Sequence, residues 1–280
     1  MTGPGGERNP RVAAIQMRSG PVVEDNLVRA FSLLRTAAEA GAALAVLPEN
    51  FACMPDRDAD RLAVAEDEGE GPIQDFLSRT ARDLGLWIVG GTIPVRCAGD
   101  SRPAAGCLVF DAGGARRARY DKIHLFDVAL PDKEESYRES DTIRPGTGVV
   151  VMDSPVGRLG LAVCYDLRFP ELFRRMLDDG MEVFALPAAF TAHTGSVHWE
   201  PLLRARAIEN LCWAVAAAQQ GRHHSGRETW GDSMVVDPWG TVVERLGKGA
   251  GVALAEIDRD RQARVRQQFP ALSHRQRHGN

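Results

Sequence analysis

Short, almost continuously apolar segments recur along the chain, and each is typical of a buried β-strand. They are RVAAIQM (11–17), ALAVLPEN (43–50), LWIVGGTIPV (86–95), MEVFALPAAF (181–190), AVAAAQQG (214–221) and GVALAEIDRD (251–260). Segments between them carry apolar residues at helical spacing and predict helices at 26–41, 71–85, 170–180, 198–213 and 261–269. In the first of these, Leu27, Phe31 and Leu34 share one face, and Gly41 is a typical end signal.

Turn residues split the remaining apolar stretches into predicted hairpins at 105–127, 149–166 and 232–246. The stretch 125–148 is polar and predicts a loop. Alternating helices and strands with interspersed hairpins predict a layered α/β domain with a mixed sheet. Because no linker or repeat interrupts the chain, we expect one domain at 11–272. A disordered N-terminal tail at 1–10 and a C-terminal tail at 273–280 complete this prediction.

Composition excludes several classes of protein. The 280 residues are 44% hydrophobic and 26% charged, with a formal net charge of -4, which is ordinary for a globular protein. This balance argues against a nucleic-acid partner, which favours a basic surface. No apolar run approaches the roughly 20 residues that span a bilayer. The first ten residues lack the apolar core of a secretory signal. We therefore expect a small-molecule substrate, with neither a nucleic-acid nor a membrane partner.

The cysteines are scattered and odd in number: Cys53, Cys97, Cys107, Cys164 and Cys212. Without a C-x-x-C pair they predict neither a disulfide framework nor a zinc site. The sequence therefore favours a reducing, cytoplasmic compartment and no bound metal. Motifs typical of phosphate loops, dinucleotide-binding folds, zinc proteases and serine hydrolases are also absent.

Three chemically reactive side chains stand where apolar segments stop. Glu49 follows ALAVLP, Lys122 follows ARYD, and Cys164 follows LGLAV. Ligands in open α/β sheets bind at the carboxyl ends of strands, so these side chains could share one site. A thiol is a strong nucleophile, an ammonium group stabilises an oxyanion, and a carboxylate can move protons.

Two other interpretations of these residues remain open at this point. A single cysteine in a buried strand is commonly a small core residue, and the glutamate and lysine are then solvated charges. A papain-like protease would instead pair Cys164 with a histidine as its base, for which His124, His193 or His198 are the candidates.

The residues around the three candidates resemble those of the nitrilase superfamily of carbon–nitrogen hydrolases. The matching pieces are LAVLPENF around Glu49, YDKIHLFDV around Lys122 and GLAVCYDLRFPELFR around Cys164. The resemblance covers nearly the whole chain and implies a four-layer αββα sandwich. It also implies a Glu-Lys-Cys triad that acts without a cofactor, in a homodimer or homotetramer.

In that resemblance Cys164 is the nucleophile, Glu49 the general base and acid, and Lys122 the oxyanion stabiliser. Glu139 matches a second glutamate that positions lysine and substrate. We expect the backbone N–H of Tyr165 to lie close to the N-terminus of the following helix, where negative charge is favoured, and to complete the oxyanion hole with Lys122.

The segment GRHHSGRETWGDSMVVDPWG resembles the branch of the superfamily that includes deaminated glutathione amidase. This implies an amide substrate with two carboxylates, cleaved through a thioester to 2-oxoglutarate and cysteinylglycine. Cationic side chains would bind such carboxylates. The candidates for substrate contact are Arg168, Phe190, Thr191, Trp199, Arg222, His223, His224 and Arg227.

Three alternatives to that substrate remain. An ω-amidase would act on 2-oxoglutaramate, which lacks the cysteinylglycine part of deaminated glutathione. An N-carbamoyl amino acid amidohydrolase would release carbon dioxide as well as ammonia. An inactive member of the fold would instead bind protein partners, although the glutamate, lysine and cysteine positions of the motif are all intact.

Overall fold

The structure is a computed structural model that describes residues 9–129 and 136–276. Its strands, in chain order, are β1 (Arg11–Gln16), β2 (Ala42–Val46), β3 (Trp87–Val89), β4 (Ile93–Cys97), β5 (Asp100–Phe110), β6 (Arg116–Asp121), β7 (Asp127–Ala129), β8 (Ser136–Arg138), β9 (Val151–Ser154), β10 (Gly157–Leu161), β11 (Val183–Ala188), β12 (Trp213–Ala218), β13 (Gln220–Arg222), β14 (Glu228–Trp230), β15 (Met234–Val236), β16 (Val242–Arg245) and β17 (Gly251–Glu256). Its helices are α1 (Val23–Glu39), α2 (Pro72–Leu84), α3 (Pro170–Asp178), α4 (Ala192–Asn210) and α5 (Arg259–Gln268).

Short 3-10 helices lie at Asp58–Val64, Glu139–Asp141 and Cys164–Arg168. The tails predicted at 1–10 and 273–280 fall mainly on residues 1–8 and 277–280, which lie outside the described part of the chain. No helix in the described ranges is long and apolar enough to cross a membrane.

Two mixed sheets form the centre of the described structure. The first has the strand order β17-β1-β2-β3-β5-β4, with β6 also paired to β5. The second has the order β16-β15-β12-β11-β10-β9. In the first sheet β1, β2 and β3 run parallel, and in the second β10, β11 and β12 do. The remaining neighbours pair antiparallel, which confirms the predicted mixed character.

Alternate residues of the central strands face different layers. In β1, Val12 and Ala14 pack into the core between the two sheets, whereas Ala13 and Ile15 pack towards helices. All four side chains are fully buried. A strand covered on both faces is expected to be continuously apolar, which explains why these segments show no alternation in the sequence.

Two pairs of helices cover the outer faces of the sheets. The first sheet packs against α1 and α2 through residues such as Leu34 and Leu77. The second packs against α3 and α4, where the Phe173 ring meets Phe184 of β11 edge-on, with ring centroids 5.0 Å apart. The layer order is therefore helix, sheet, sheet, helix, which confirms the αββα sandwich.

Several chain segments leave the sheets at one end of the sandwich. Glu49 lies three residues beyond the end of β2, Cys164 three beyond β10, and Thr191 three beyond β11. Lys122 directly follows β6. The fold thereby brings residues from both sheets to a common edge, as expected where parallel strands end.

One predicted strand is broken in two. The segment 86–95 forms β3 and β4, which are separated by Gly90, Gly91 and Thr92. Gly91 has φ +55 and lies against the carbonyl of Pro48, where a side chain would collide. A continuous strand cannot contain this left-handed residue, so the chain turns here.

Two segments that lack a strand pattern in the sequence contain short hairpins. Within 125–148, β7 pairs with β8, and a 3-10 turn follows that carries Glu139. Within residues 220–230, named the basic loop for its arginines and histidines, β13 pairs with β14. Both hairpins are too short and too polar to show the apolar alternation that predicts a strand.

Gly91 allows a test of this close approach. Gly91→Ala adds a clash with the backbone of Pro48 to the strain of a left-handed residue. Gly85→Ala, at φ +60, adds the strain alone, because no atom lies within 4 Å of the place that its side chain would occupy. We expect Gly85→Ala to lower the free energy of unfolding by about 1–2 kcal/mol and Gly91→Ala by at least about 3 kcal/mol. Urea unfolding measures both. Equal losses would contradict the packing of Gly91 against the Glu49 turn.

Candidate active site

A single cleft collects most of the predicted site residues at the end of the sandwich. Its empty volume is about 490 Å³, which includes the solvent space at the open mouth of the cleft. Among the described residues it is lined by Glu49, Asn50, Arg61, Lys122, Phe126, Tyr137, Glu139, Cys164, Tyr165, Arg168, Ala189, Phe190, Thr191, Thr194 and Arg227. Its floor is charged and its walls combine aromatic rings with guanidinium groups.

Glu49 is held in a turn directly after β2. Its side chain is buried, and its backbone carbonyl accepts a hydrogen bond of 3.1 Å from the Gln219 side chain. Gln219 in turn bonds the Ser19 hydroxyl at 2.7 Å, and that hydroxyl donates to Phe51. The backbone of Glu49 is thereby fixed by a buried polar network that joins both sheets.

Lys122 lies at the centre of a buried ion cluster. Its Nζ donates to Oε1 of Glu49 at 2.7 Å and to both carboxylate oxygens of Glu139, at 3.0 and 2.8 Å. Burial alone would lower the pKa of Lys122, but the negative charges of Glu139 and Glu49 outweigh burial and raise that pKa above its ordinary value. The ammonium group is therefore fully charged at neutral pH.

Glu139 reaches the cluster from the 3-10 turn after β8. One of its oxygens also accepts the backbone N–H of Phe126 at 2.7 Å. Burial opposes ionisation of Glu139, yet the charges of Lys122 and Arg61 and these hydrogen bonds lower the pKa of its carboxyl group below the ordinary value. Glu139 is thus a carboxylate that holds the position of Lys122.

Cys164 lies beside this cluster in a strained backbone conformation. It begins the 3-10 turn after β10 and has φ 47, in the left-handed region that side chains other than glycine rarely adopt. Burial raises the pKa of its thiol well above the ordinary value, and Glu49 raises it further. The Lys122 charge and a hydrogen bond with the backbone of Ala189 act in the opposite direction.

This arrangement places a proton donor, an acceptor and a cation together. Cys164 and Glu49 line the same cleft, Glu49 raises the pKa of the thiol, and Glu49 is bonded to Lys122. Such a group can transfer the thiol proton as sulfur attacks, and can hold negative charge that develops on the attacked carbon's oxygen.

The other predicted residues divide into those in the cleft and those outside it. Tyr165, Arg168, Phe190, Thr191 and Arg227 line the cleft. Trp199 does not line it but lies beneath Phe190, with ring centroids 5.0 Å apart, and donates its indole N–H to the Asp232 carbonyl at 2.7 Å. Trp199 therefore supports the wall of the cleft from the core.

Three residues of the basic loop are placed differently from the expectation. Arg222, His223 and His224 line a separate groove, together with Arg18 and Arg29. His223 is buried there, with its ring nitrogens 2.9 Å from the Ser19 carbonyl and 2.8 Å from the Thr229 hydroxyl. The β13–β14 hairpin turns these side chains away from the cleft and leaves Arg227 as the basic residue of that loop within it.

The histidines of the protease alternative do not meet Cys164. Neither His124, His193 nor His198 lines the described part of the cleft. His124 instead bonds Asp166, with 2.7 Å between its Nδ1 and Oδ1 of Asp166. Over residues 9–129 and 136–276, no group of three or more His, Cys, Asp or Glu side chains could hold a metal ion.

The sequence did not indicate two residues that shape the site. Arg61 is buried in the 3-10 helix after β2 and brings positive charge to Glu139. Asp166, two residues after Cys164, is fully buried and accepts hydrogen bonds from four groups. A carboxylate between two buried apolar segments is a signal for Asp166, because a charge there requires partners. Arg61 lies in a polar stretch that carries no comparable signal.

Comparison with known proteins agrees with this geometry. The family model for carbon-nitrogen hydrolase matches residues 11–267. The chain is 42% identical to deaminated glutathione amidase from Yersinia enterocolitica, with 95% of this chain and 93% of that protein aligned. It is 42% identical to the human protein of the same name, with 95% and 82% aligned.

A solved structure extends the comparison to the fold. Nit3 from Saccharomyces cerevisiae, described as a member of branch 10 of the nitrilase superfamily, superimposes with a TM-score of 0.85 at 30% identity. The match covers 94% of this chain and 95% of that one. The protein belongs to the carbon–nitrogen hydrolase family, and the predicted resemblance is confirmed.

The electrostatics of Cys164 can be tested with Glu49→Gln. Because Glu49 raises the pKa of the thiol and Lys122 lowers it, removing the Glu49 charge leaves the lowering influence and moves that pKa down. We expect the pH midpoint for alkylation of Cys164 by iodoacetamide to fall in the variant. At a pH below both midpoints, each unit by which the midpoint falls gives about tenfold more thiolate. Peptide mapping measures each cysteine separately.

Cys212 is the internal control for that experiment. Burial raises its pKa to about 12, and it does not line the cleft, so it stays unmodified in both proteins. A midpoint for Cys164 that stays constant or rises in Glu49→Gln would contradict the arrangement of charges.

Proposed function

We propose that this carbon–nitrogen hydrolase is an amidase in which Cys164, Glu49 and Lys122 perform the reaction without a metal or cofactor. The observation that carries the proposal is the position of Cys164 in one cleft with the Glu49 carboxylate, which is itself held by the buried Lys122 ammonium group.

In the first half of the reaction the thiol becomes acylated. Glu49 takes the proton from Cys164 as sulfur attacks the amide carbonyl carbon. The oxyanion is stabilised by the Lys122 ammonium and by the backbone N–H of Tyr165. Each such donor typically contributes about 10²–10³ in rate. Glu49 then gives the proton to the substrate nitrogen, because an amide anion is too basic to leave. The C–N bond breaks, the amine departs, and a thioester of Cys164 remains.

In the second half water replaces the amine. Glu49 removes a proton from water as its oxygen attacks the thioester carbonyl, and the same donors hold the second oxyanion. Collapse expels the Cys164 sulfur, which regains its proton from Glu49, and releases the acid. Glu139 keeps Lys122 in place and ionised throughout, consistent with its two hydrogen bonds to Nζ.

We infer that the substrate is a small amide with carboxylate groups, and specifically deaminated glutathione. The names of the bacterial and human relatives support this assignment. So do the guanidinium groups of Arg61, Arg168 and Arg227 in the cleft lining. Arg168 packs against the rings of Tyr165 and Phe190, 5.7 and 5.2 Å from their centroids, which orients a cation towards the substrate space.

We also propose a homodimer or homotetramer in the cytoplasm. The outer side of α4 and the neighbouring hairpin expose Val197, Ile208 and Trp239, at 65%, 44% and 55%. Apolar side chains in such a group are typical of a contact between subunits. The cysteines are free, in keeping with a reducing compartment.

A panel of substrates tests the assignment. The purified protein is incubated with deaminated glutathione, 2-oxoglutaramate and an N-carbamoyl amino acid, while 2-oxoglutarate, ammonia and carbon dioxide are followed. We expect kcat/KM for deaminated glutathione to exceed the others by about 100-fold, which corresponds to about 2.7 kcal/mol in transition-state binding. Cys164→Ala should abolish turnover. Preference for 2-oxoglutaramate, or release of carbon dioxide, would replace the substrate assignment.

A second test concerns recognition of the substrate's carboxylates. Arg227→Met removes a cation from the cleft, and Arg222→Met removes one from the same loop that faces the separate groove. We expect Arg227→Met to raise KM for deaminated glutathione about tenfold or more with kcat changed less, because one charge-assisted contact is lost. Arg222→Met should leave both constants unchanged. Equal effects of the two substitutions would argue against a specific role for Arg227.

A further inference from the structure

Asp166 has no part in the reaction described above, yet it is among the most completely buried charged residues of the protein. Its exposed fraction is 0%. Four groups donate to its carboxylate or lie within hydrogen-bonding distance of it: the Tyr120 hydroxyl at 2.7 Å, the Val163 N–H at 2.8 Å, the His124 N–H at 3.0 Å and Nδ1 of His124 at 2.7 Å. A carboxylate in such a position would be costly without these partners.

On one side, the carboxylate closes the turn that contains Cys164. The Val163 N–H donates to Oδ2 of Asp166, and the Asp166 N–H donates back to the Val163 carbonyl at 3.0 Å. Cys164 lies between these two residues with its left-handed φ of 47. Such a conformation persists only where surrounding bonds determine it, and this reciprocal pair supplies them.

On the other side, the same carboxylate holds the segment that carries Lys122. Tyr120 and His124 stand two residues before and two residues after Lys122, and each donates to Asp166. The His124 ring also stacks on Phe169, which follows the Cys164 turn, with centroids 3.7 Å apart. Asp166 thus contacts the Lys122 segment at two points.

The two segments belong to different sheets. Lys122 follows β6 of the first sheet, and Cys164 follows β10 of the second. No backbone ladder pairs β6 with β10 in the described structure, so side-chain contacts contribute to their relative position. Asp166 is a direct polar connection between them beside the reacting groups.

We propose that Asp166 is a positioning residue that fixes the Cys164 thiol relative to the Lys122 ammonium by bonding both segments with one buried carboxylate. The proposal rests on the amidase function above, since it concerns the geometry of that reaction. A displacement of about 1 Å between reacting groups can reduce a rate by about 100-fold, so the connection acts on kcat rather than on substrate binding.

Asp166→Asn is the most informative substitution. An amide has the size of the carboxyl group but only one oxygen, and its NH₂ group donates. In either orientation the NH₂ group would face a backbone N–H, that of Val163 or that of His124, so one connection is lost while the packing is kept.

Asp237→Asn is the matched control. Asp237 is also buried, at 2% exposure, and its carboxylate accepts the backbone N–H groups of Trp239 and Thr241 and the Arg261 guanidinium. It lies in the β15–β16 hairpin and does not line the cleft. Asp237→Asn therefore shows how much stability is lost with a buried carboxylate that closes a turn but has no connection to the site.

The experiment measures folding by circular dichroism and thermal unfolding, kcat and KM for the amide substrate, and the iodoacetamide alkylation rate of Cys164 by peptide mapping. For folded Asp166→Asn we expect kcat to fall about 100-fold, KM to stay within about threefold, and alkylation of Cys164 to change about tenfold or more. Asp237→Asn should keep wild-type kcat and alkylation. A folded Asp166→Asn protein with wild-type kcat overturns the proposal.

Tyr120→Phe decides the matter if Asp166→Asn does not fold. It removes one donor to Asp166 and keeps the ring, so we expect a fall of about fivefold or more in kcat at unchanged KM, and an unchanged kcat would overturn the proposal. If the wild-type protein cleaves no amide, the proposed function fails by itself. Alkylation then still tests the connection, because equal rates at Cys164 in wild-type and Asp166→Asn protein would refute it.

Discussion

The buried contact of Lys122 with two carboxylates is the interaction on which the site depends. Two carboxylates and one ammonium group have left water in a small volume, and the carboxylates are stable there only because the ammonium lies between them. Removal of Lys122 leaves two buried carboxylates without that ammonium, so Glu49, Lys122 and Glu139 form a single unit. Since they come from three separate chain segments, the cluster also fixes how those segments meet at the end of the sandwich.

The same cluster determines the resting state of Cys164. Burial and the neighbouring Glu49 keep the sulfur protonated, while Lys122 favours negative charge close by. The thiol is therefore held in its protonated form until a substrate carbonyl arrives to take up the charge, and the general base lies in the same cleft. This arrangement suits a reaction whose charge develops only in the transition state.

Much of the fold follows from local sequence, because strands buried on both faces are continuously apolar and α2 ends at a glycine, Gly85. The main residues of the site were indicated by position after strands and by family resemblance. Neither signal indicated the positions of Arg61, Asp166 and the basic loop. Whether Arg222 or Arg227 faces the cleft depends on the β13–β14 hairpin and its distant contacts, which no local pattern specifies.

The most direct test of the central claim is to trap the covalent intermediate. Protein mixed with its amide substrate is quenched in acid within milliseconds, and its intact mass and peptides are measured by mass spectrometry. We expect an acyl group on Cys164 during turnover, and none in Cys164→Ala protein. Turnover without an adduct, or with the acyl group on another residue, would contradict the role of the Cys164 thiol beside Glu49 and Lys122.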